Sequence, residues 1–314
     1  MNPIQPIKKD ITQPTQTAIE ALSEVCDLSR AELKQSFTKG AVWVTSGTQK
    51  PTRVRRVKRA LKLGDRIELH YNPKVLNEVA RTPILMLDNV KYSIWLKPRG
   101  MLSQGSKWGD HTALYRWVEM NYQADNESQS RQAWLVHRLD RATCGLQLLA
   151  HSKKMAQILT KLFENRQIEK RYKAIVHGQF PSSVESIEST EHSQTYQTNI
   201  DGRSAITHVK RLKFDAAQNL SLVDVKIETG RKHQIRIHLS QNGFPILGDR
   251  LYGDETLDNQ DNRPRPNMQL TAYQLEFTCP INQTPIKITL DDAQLDLTDL
   301  SATDLSSTEP KRAV

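Results

Sequence analysis

Short apolar segments separated by turns constrain the fold of this chain more than any other feature of its sequence. In the C-terminal part these segments are rich in β-branched residues and are bounded by Gly, Pro and polar clusters, a pattern typical of strands. They read LQLLA, KRYKAIVHG, SLVDVKIETG, IRIHL, QLEFTCP and PIKITL. Because strands outnumber helices and do not alternate with them strictly, the sequence predicts an α+β fold with a mainly antiparallel or mixed sheet. A doubly wound nucleotide-binding fold is therefore not expected.

The chain is basic, which favours a polyanionic partner. Its 314 residues include 44 Lys and Arg against 35 Asp and Glu, a formal net charge of +9, and nucleic acid is the first candidate for such a partner. The cysteines Cys26, Cys144 and Cys279 form no Cys-x-x-Cys pair, so we expect neither a disulfide framework nor a thiolate zinc site. The sequence has no signal-peptide pattern and no apolar stretch of membrane-spanning length, so we expect a cytoplasmic protein.

The length of the chain favours two domains. Polar stretches at both ends, residues 1–16 and 293–314, are expected to be disordered tails. Between the tails we predict a small α+β domain over 17–75, a linker over 76–88 and a larger α+β domain over 89–292.

The predicted small domain begins with a helix whose ends are marked in the sequence. Ser29 followed by Glu32 forms a capping box, and Gly40 can take the left-handed conformation that ends a helix. The strand-like segment AVWV follows, and then a run with six basic residues within ten positions, RVRRVKRALK. The pattern LSRAELKQSFTKGAVWV followed by LKLGDRIEL resembles the S-four RNA-binding domain.

By that resemblance the basic run contacts RNA phosphates, which would position RNA without reading its sequence. The residues concerned are Arg53, Arg55, Arg56, Lys58, Arg59 and Lys62. A solvated charged surface with no ligand is the alternative interpretation of the same run.

A first polar cluster that could perform chemistry is VHRLDRATCG, residues 136–145. Asp140 lies between Arg138 and Arg141 on a predicted loop between two core strands, which is a rigid mount for a catalytic group. Taken alone, the pattern also fits a carboxylate that forms a salt bridge with a neighbouring arginine or caps a turn.

A second cluster, ETGRKHQIRIHL, is predicted to be a strand. Alternation would then place Gln234, Arg236 and His238 on one polar face and the apolar residues on the core face. The spacing of His233 and His238 does not put both on one face of a strand, so no metal site is expected. The chain also contains no phosphate loop, no dinucleotide-binding Gly pattern and no His-Glu-x-x-His motif.

Together the two clusters resemble the RluA-type pseudouridine synthases, a family named for an enzyme of ribosomal RNA. HRLDRATCG resembles the family's His-Arg-Leu-Asp signature, KRYKAIVHG its Tyr segment, DGRSAITHV its Gly-x-x-Ala-x-Thr segment, and TGRKHQIRIHLSQNGFPILGDRLYG its long third motif. The resemblance covers about residues 89–290 and includes LKPRGM near the start. The chain departs from the family pattern at Ala142, at Cys144 and at residues 270–272, none of which is the signature aspartate. The resemblance implies an isomerisation of uridine in RNA that needs no metal and no cofactor.

The resemblance also assigns roles to four residues. Asp140 is the implied catalytic aspartate, either as nucleophile at the anomeric carbon or as base at the adjacent ribose carbon, and the sequence does not choose between these routes. Arg236 is the implied ion-pair partner that favours the charged carboxylate. Tyr172 would pack its ring against the target base. Arg138 would fill the space left when the uridine is flipped out of a helix.

Ribosomal RNA is the expected substrate, because an S-four domain accompanies enzymes of this family that act on the large ribosomal RNA, and transfer RNA is the alternative. We expect the enzyme to be a monomer. A catalytically inactive RNA-binding protein is disfavoured by the presence of Asp140, Tyr172 and Arg236. A glycosidase is disfavoured because neither the signature loop nor RKHQIRIHL offers the second carboxylate that such enzymes use.

Overall fold

The computed structural model describes residues 5–13, 17–123, 131–182, 194–259, 265–295 and 297. The chain divides into two compact units. The first comprises Met1–Thr82 and Met101–Ala133, and the second comprises Pro83–Gly100 and Trp134–Val314. The segment 101–133, which the sequence assigned to the larger domain, therefore groups with the N-terminal unit. No helix in the described part of the chain is long and apolar enough to cross a membrane.

The first unit is built on a four-stranded antiparallel sheet with strand order β1-β4-β2-β3. Its strands are β1 (Ile7–Asp10), β2 (Val42–Ser46), β3 (Thr52–Arg53) and β4 (Asp65–Leu69). Its helices are α1 (Ala18–Ser23), α2 (Arg30–Thr38), α3 (Pro73–Leu76) and α4 (Leu114–Asn121). The apolar faces of α1 and α2 share one core with the inner side chains of β2 and β4.

The predicted limits of helix α2 are confirmed. The Ser29 side chain accepts from the Glu32 N–H at 3.2 Å, and the Glu32 carboxylate accepts from the Ser29 N–H at 2.8 Å. Gly40, two residues after the last helical residue, has a φ of +78°, a conformation that L side chains rarely adopt. The reciprocal cap and the terminal glycine thus fix the length of this helix.

The second unit is built on a ten-stranded sheet. Eight strands follow the order β10-β11-β12-β9-β13-β8-β6-β5, while β14 pairs with β13 and β7 pairs with β8. Its strands are β5 (Ile84–Asp88), β6 (Tyr92–Lys97), β7 (Trp134–Leu135), β8 (Cys144–Ala150), β9 (Ile168–His177), β10 (Gln194–Ile200), β11 (Arg203–Asp215), β12 (Leu220–Ile227), β13 (Leu270–Thr278) and β14 (Pro285–Thr289). All pairs are antiparallel except β13 with β8, so the predicted mixed sheet and α+β class are confirmed.

Apolar side chains form a core on each face of this sheet. Helix α5 (Lys153–Glu164), capped by Ser152, packs Met155 and Leu159 into one core. Helix α6 (Gln234–Gln241) packs Ile235 and Leu239 into the other. The third helix of the unit is α7 (Glu255–Asp258).

The predicted strand IRIHL is wrong, because these residues belong to helix α6. The apolar residues at 235, 237 and 239 satisfy the alternation of a strand, but Ile235 and Leu239 are also four positions apart, which is one face of a helix. Gln234, Arg236 and His238 are all buried, yet they do not share a strand face. Arg236 therefore reaches its partners from a helix that packs against the sheet.

The structure also differs from the predicted tails and linker. Ile7–Asp10 pairs with β4 although its side chains are mostly polar, since the backbone supplies the bonds of an edge strand. Ile84–Asp88, within the predicted linker, is strand β5. In the predicted C-terminal tail, Leu295 and Leu297 are buried, while residues 1–4, 14–16, 296 and 298–314 lie outside the described residues.

Candidate active site

Asp140 lies on the loop between β7 and β8, as the sequence predicted, and this loop is bonded to the turn that follows β6. The Gly100 N–H donates to the Arg141 carbonyl at 2.7 Å, and Arg141 Nε donates to the Gly100 carbonyl at 3.0 Å. Arg99 Nη1 donates to the Ala142 carbonyl at 3.0 Å and also to the Met268 carbonyl. The backbone that directly follows Asp140 is therefore fixed by neighbouring segments.

A row of paired residues across five strands lies beneath this loop. The pairs join Lys97 to Gly145, Gly145 to Ala272, Ala272 to Tyr172, and Tyr172 to Val225. Directly paired residues project from the same face of a sheet, so Lys97 and Tyr172 point to the face that carries Asp140's loop. Gly145 has a φ of +124°, and a Cβ there would come within 2.3 Å of the Ala272 carbonyl oxygen. Only glycine fits where β8 and β13 pair at this point.

Arg236 lies between two carboxylates. Its Nη1 donates to Asp140 Oδ2 at 3.1 Å, while Nε and Nη2 donate to the two oxygens of Asp249 at 2.7 Å each. Burial lowers the pKa of Arg236, but its bonds to the two carboxylates outweigh burial and raise that pKa above its usual value. The structure thus brings together two residues 96 positions apart in the chain and holds the guanidinium in a fixed orientation.

Asp249 is the carboxylate that orients Arg236. Its side chain is about 1% exposed, and it also accepts from the N–H groups of Leu251 and Tyr252 at 2.9 and 3.2 Å. Burial raises the pKa of Asp249, but the bonds from Arg236 and from the two backbone N–H groups hold it below its usual value. Asp249 is therefore ionised at neutral pH and has no free face for a substrate.

His233 lies on the other side of Asp140. Its Nε2 is 3.7 Å from Asp140 Oδ1, and its Nδ1 shares a hydrogen bond of 3.0 Å with the Tyr252 hydroxyl. His233 has a φ of +57°, in the left-handed region that is uncommon outside glycine, immediately before helix α6. Burial lowers the pKa of this imidazole, whereas the Asp140 charge acts to raise it.

Tyr172 and Lys97 are buried side chains, and the Asp140 charge acts on the pKa of each. Tyr172 is about 6% exposed, and burial together with the Asp140 charge raises the pKa of its hydroxyl. Burial lowers the pKa of Lys97 to about 7, partly opposed by Asp140, and Lys97 Nζ donates to the Pro98 carbonyl at 3.3 Å. By contrast, the Asp140 side chain is 27% exposed, so it is the carboxylate of this cluster that a substrate can reach.

The other residues of the signature loop have different surroundings. Arg138 is exposed, as a side chain that enters RNA must be. His137 accepts from the Leu148 N–H at 2.9 Å and stacks against Phe163, and burial lowers its pKa to about 3. His137 is therefore a neutral structural residue.

The six basic residues predicted to contact RNA do not have equal surroundings within the first unit. Arg53 and Arg55 approach the buried Asp110 carboxylate at 3.3 and 2.5 Å, and Arg53 also donates to the Ser106 carbonyl. Of the remaining four, Arg56, Lys58 and Lys62 are exposed and Arg59 is half-buried. The cations available to a polyanion are thus concentrated in the second half of the run.

The sequence interpretation did not single out Asp249, Tyr252 or Lys97 as functional. Asp249 bonds to Arg236, the Arg236 guanidinium lies over the Tyr252 ring, and the Asp140 charge affects the pKa of Lys97. All three lie inside the quoted motifs, Lys97 in LKPRGM and the others in GDRLYG. A buried carboxylate that must balance Arg236 is the signal that could have identified Asp249, because a single buried arginine rarely lacks such a partner.

Comparisons with known proteins identify the family to which this chain is similar. The model of the RNA pseudouridylate synthase family matches residues 91–241. The chain is 32% identical to the uncharacterized RNA pseudouridine synthase YhcT of Bacillus subtilis over 62% of this chain and 66% of that protein. It is 32% identical to tRNA pseudouridine synthase C of Pasteurella multocida, over 64% of this chain and 88% of that protein.

Two further similarities concern a named ribosomal enzyme and a solved fold. Ribosomal large subunit pseudouridine synthase D of Neisseria meningitidis is 28% identical over 81% of this chain and 69% of that protein. The structure of human RNA pseudouridylate synthase domain containing 4 is similar with a TM-score of 0.51 and 24% identity, over 66% of this chain and 88% of that chain. The latter similarity concerns the fold alone.

Proposed function

This chain belongs to the family of RNA pseudouridine synthases, which are isomerases, and we propose that it converts uridine in RNA to pseudouridine with Asp140 as the catalytic residue. The observation that carries this proposal is the arrangement of one accessible carboxylate, Asp140, against a guanidinium that a second, buried carboxylate holds in place. The reaction moves the bond between the ribose and the base from N1 to C5 of the same uracil. No group is gained or lost overall.

Asp140 must be ionised for either of its two possible roles. A carboxylate can attack the anomeric carbon as the uracil leaves, or it can remove a proton from the adjacent ribose carbon. The Nη1 group of Arg236 donates to Asp140 Oδ2 at 3.1 Å, and this charge-assisted hydrogen bond orients the carboxylate for either role. After the uracil turns, C5 bonds to the anomeric carbon. On the nucleophilic route the ester bond to Asp140 breaks as this bond forms, and on the other route the proton that Asp140 removed returns to the ribose carbon. The proton on C5 is then lost and N1 gains a proton, so atoms balance on both routes.

Tyr172 and Arg138 are proposed to handle the base. A uridine stacked in a helix has to be extruded, at a cost of a few kcal/mol, before its sugar can meet Asp140. Arg138, which is exposed and two residues before Asp140, would replace the extruded base in the stack. Tyr172, on the sheet beneath the loop, would offer its ring to the uracil.

A glycosidase would need a second carboxyl group that can give a proton to the leaving base. The second carboxylate in this cluster, Asp249, is buried, accepts four hydrogen bonds and has a pKa below its usual value. Such a group neither reaches a substrate nor carries a proton at neutral pH. This supports isomerisation over hydrolysis.

We propose that the substrate is ribosomal RNA and that the basic run of the first unit acts as an S-four-like RNA-binding surface. Named relatives include one enzyme for tRNA and one for the ribosomal large subunit, so tRNA is the second candidate. On this proposal the enzyme works in the cytoplasm as a monomer with no metal and no cofactor.

The proposal predicts that the purified protein forms pseudouridine in RNA extracted from cells that lack it. Quantifying nucleosides by mass spectrometry before and after incubation measures the product directly. Mapping pseudouridines separately in ribosomal RNA and in tRNA from cells with and without the protein identifies the substrate. A uridine modified only in the presence of the protein is expected in ribosomal RNA. Identical maps, together with no product in vitro, would contradict the proposed activity.

A further inference from the structure

A cleft of about 350 Å³ opens on the second unit beside the residues just described. It is lined by Ile200, Asp201, Arg203, Gly230, Arg231 and Lys232. One wall is the turn that joins β10 to β11, and the other is the turn that leads into helix α6. Neither wall contains a residue of the proposed catalytic machinery.

Both walls are held by specific contacts. Asp201 and Gly202 both have positive φ, of +50° and +72°, as in the tight two-residue turns that suit hairpins. In the other wall, the buried Gln234 accepts from the Arg231 N–H at 3.1 Å and donates to the Ile206 carbonyl of β11 at 2.9 Å. The two turns are therefore bonded to the same strand, and the cleft between them is a built feature of the fold.

The lining of the cleft is cationic. The lining includes three cationic side chains and one carboxylate. The cations are Arg203, Arg231 and Lys232, and the carboxylate is Asp201. Arg231 Nε donates to the Ser204 carbonyl at 3.1 Å, which fixes the guanidinium while using only one of its five N–H donors. Gly230 has no side chain, so a ligand can approach the backbone closely there. These are the properties of a site for an anion, and guanidinium groups match phosphate oxygens in particular.

The lining of the cleft and the proposed active site are adjacent in the sequence. Lys232 immediately precedes His233, whose Nε2 is 3.7 Å from Asp140 Oδ1. Helix α6 begins two residues after Lys232, so its positive end adds to the field of the three cations. The segment that lines the cleft therefore leads directly into a residue that borders Asp140.

We propose that this cleft binds the sugar-phosphate of a nucleotide adjacent to the target uridine, as a second anchoring point of the RNA substrate. Its volume is at the lower end of the range of about 300–1,000 Å³ that is usual for ligand sites, which suits one nucleotide rather than a lone ion. Contacts of this kind fix the register of the strand without reading its bases. The inference rests on the proposed function, because it takes RNA as the substrate.

The test uses the full chain and a double variant, Arg203→Ala with Lys232→Ala. Both side chains are exposed, so their loss should leave the fold intact, whereas Arg231 is left unchanged because it bonds to Ser204. The expected result is a rise of about tenfold in the KM for RNA with little change in kcat. Affinity for a fluorescent RNA hairpin should also become less salt-dependent, by about one unit of log-log slope for each lost phosphate contact.

The matched control is Lys153→Ala with Lys154→Ala, which removes the same charge from exposed positions of helix α5 in the same unit. A double variant of the cleft that behaves like this control, or one that loses kcat instead of affinity, would overturn the inference. An independent readout uses a series of RNA hairpins, each with one phosphate replaced by a neutral methylphosphonate. At one position this replacement should weaken binding to the wild type but not binding to the cleft variant. If the wild type itself forms no pseudouridine, the proposed function fails, and the hairpin measurements still decide whether the cleft binds RNA.

Discussion

Two ion pairs share the Arg236 guanidinium, one with Asp249 and one with Asp140. Asp249 restricts the orientation of Arg236, and Arg236 in turn restricts the orientation of Asp140. Asp249 takes two of the donors of Arg236, and a third is left directed at Asp140. A guanidinium held by Asp140 alone would be free to rotate about its long side chain. The orientation of Asp140, the proposed catalytic carboxylate, therefore depends on a residue that is buried away from any substrate.

The variant Asp249→Asn is expected to lower kcat by about 100-fold, because small displacements of a catalytic group have effects of this size. The KM for RNA should change by less than about threefold, because Asp249 is buried away from the substrate. Removing one partner of a buried ion pair should also cost about 3–5 kcal/mol of stability. Steady-state kinetics with RNA and chemical denaturation measure the two effects separately.

Asp224→Asn is the matched control, since Asp224 is also a buried carboxylate and pairs with Arg171 at 2.8 Å. Arg171 alternates with Tyr172 on β9, so this pair lies on the opposite face of the sheet from the proposed site. The control should lose stability and keep its kcat. Equal losses of kcat in both variants would mean that Asp249 acts only through the stability of the fold.

At the scale of elements, strand β6 and its neighbours determine what surrounds the catalytic loop. Lys97, the last residue of β6, is fully buried on the face of the sheet beneath Asp140. Gly145 and Ala272 stand between Lys97 and Tyr172 in the same row and have little or no side chain. The pairing of these four strands thus places Lys97 at one side of the two small residues and Tyr172 at the other.

The burial of Lys97 predicts a specific dependence of stability on pH. Its pKa is about 7 in the folded chain and about 10.4 in an unfolded one, so the unfolded state binds more protons between these values. In that window the stability of the wild type should rise relative to Lys97→Met by up to about 1.4 kcal/mol per pH unit. Below about pH 7 the difference should be constant. Denaturation curves of both proteins across this range provide the measurement.

Lys153→Met, at an exposed position of α5, is the control for this experiment, and its stability difference from the wild type should not depend on pH. Parallel pH profiles for the wild type and Lys97→Met would show that Lys97 keeps its proton in the folded state. That outcome would mean that partners of its ammonium group compensate for burial.

Much of the element structure is predictable from local patterns, as the capping box at Ser29 and the cap at Ser152 show. Helix α6 was not predictable in this way, because the spacing of its apolar residues fits both a strand and a helix. The left-handed His233 that precedes it also has no local sequence signature. The contact between Asp140 and Arg236 could be expected only through family resemblance, since it joins segments 96 residues apart. The pairing of Asp249 with Arg236 depends on tertiary packing that spacing does not encode.

At the scale of the whole molecule, each of the two compact units carries cations of its own. The first unit presents Arg56, Lys58 and Lys62, while the second presents the lining of the cleft. The contacts of Arg53 and Arg55 with Asp110 tie the basic run to the segment 101–133 within the first unit. RNA affinity is therefore expected to be spread over many side chains, whereas the proposed catalysis depends on one carboxylate, that of Asp140.

The variant Asp140→Asn tests this account most directly. The substitution keeps the shape of the side chain but removes the charge that acts as nucleophile or base, and Arg236 remains paired with Asp249, so the fold should persist. Pseudouridine formed in RNA from cells that lack the protein, and affinity for a fluorescent RNA hairpin, should be measured for the variant and the wild type together. The account predicts no pseudouridine above the protein-free background and an affinity within about threefold of the wild type. Undiminished pseudouridine from the variant would contradict it.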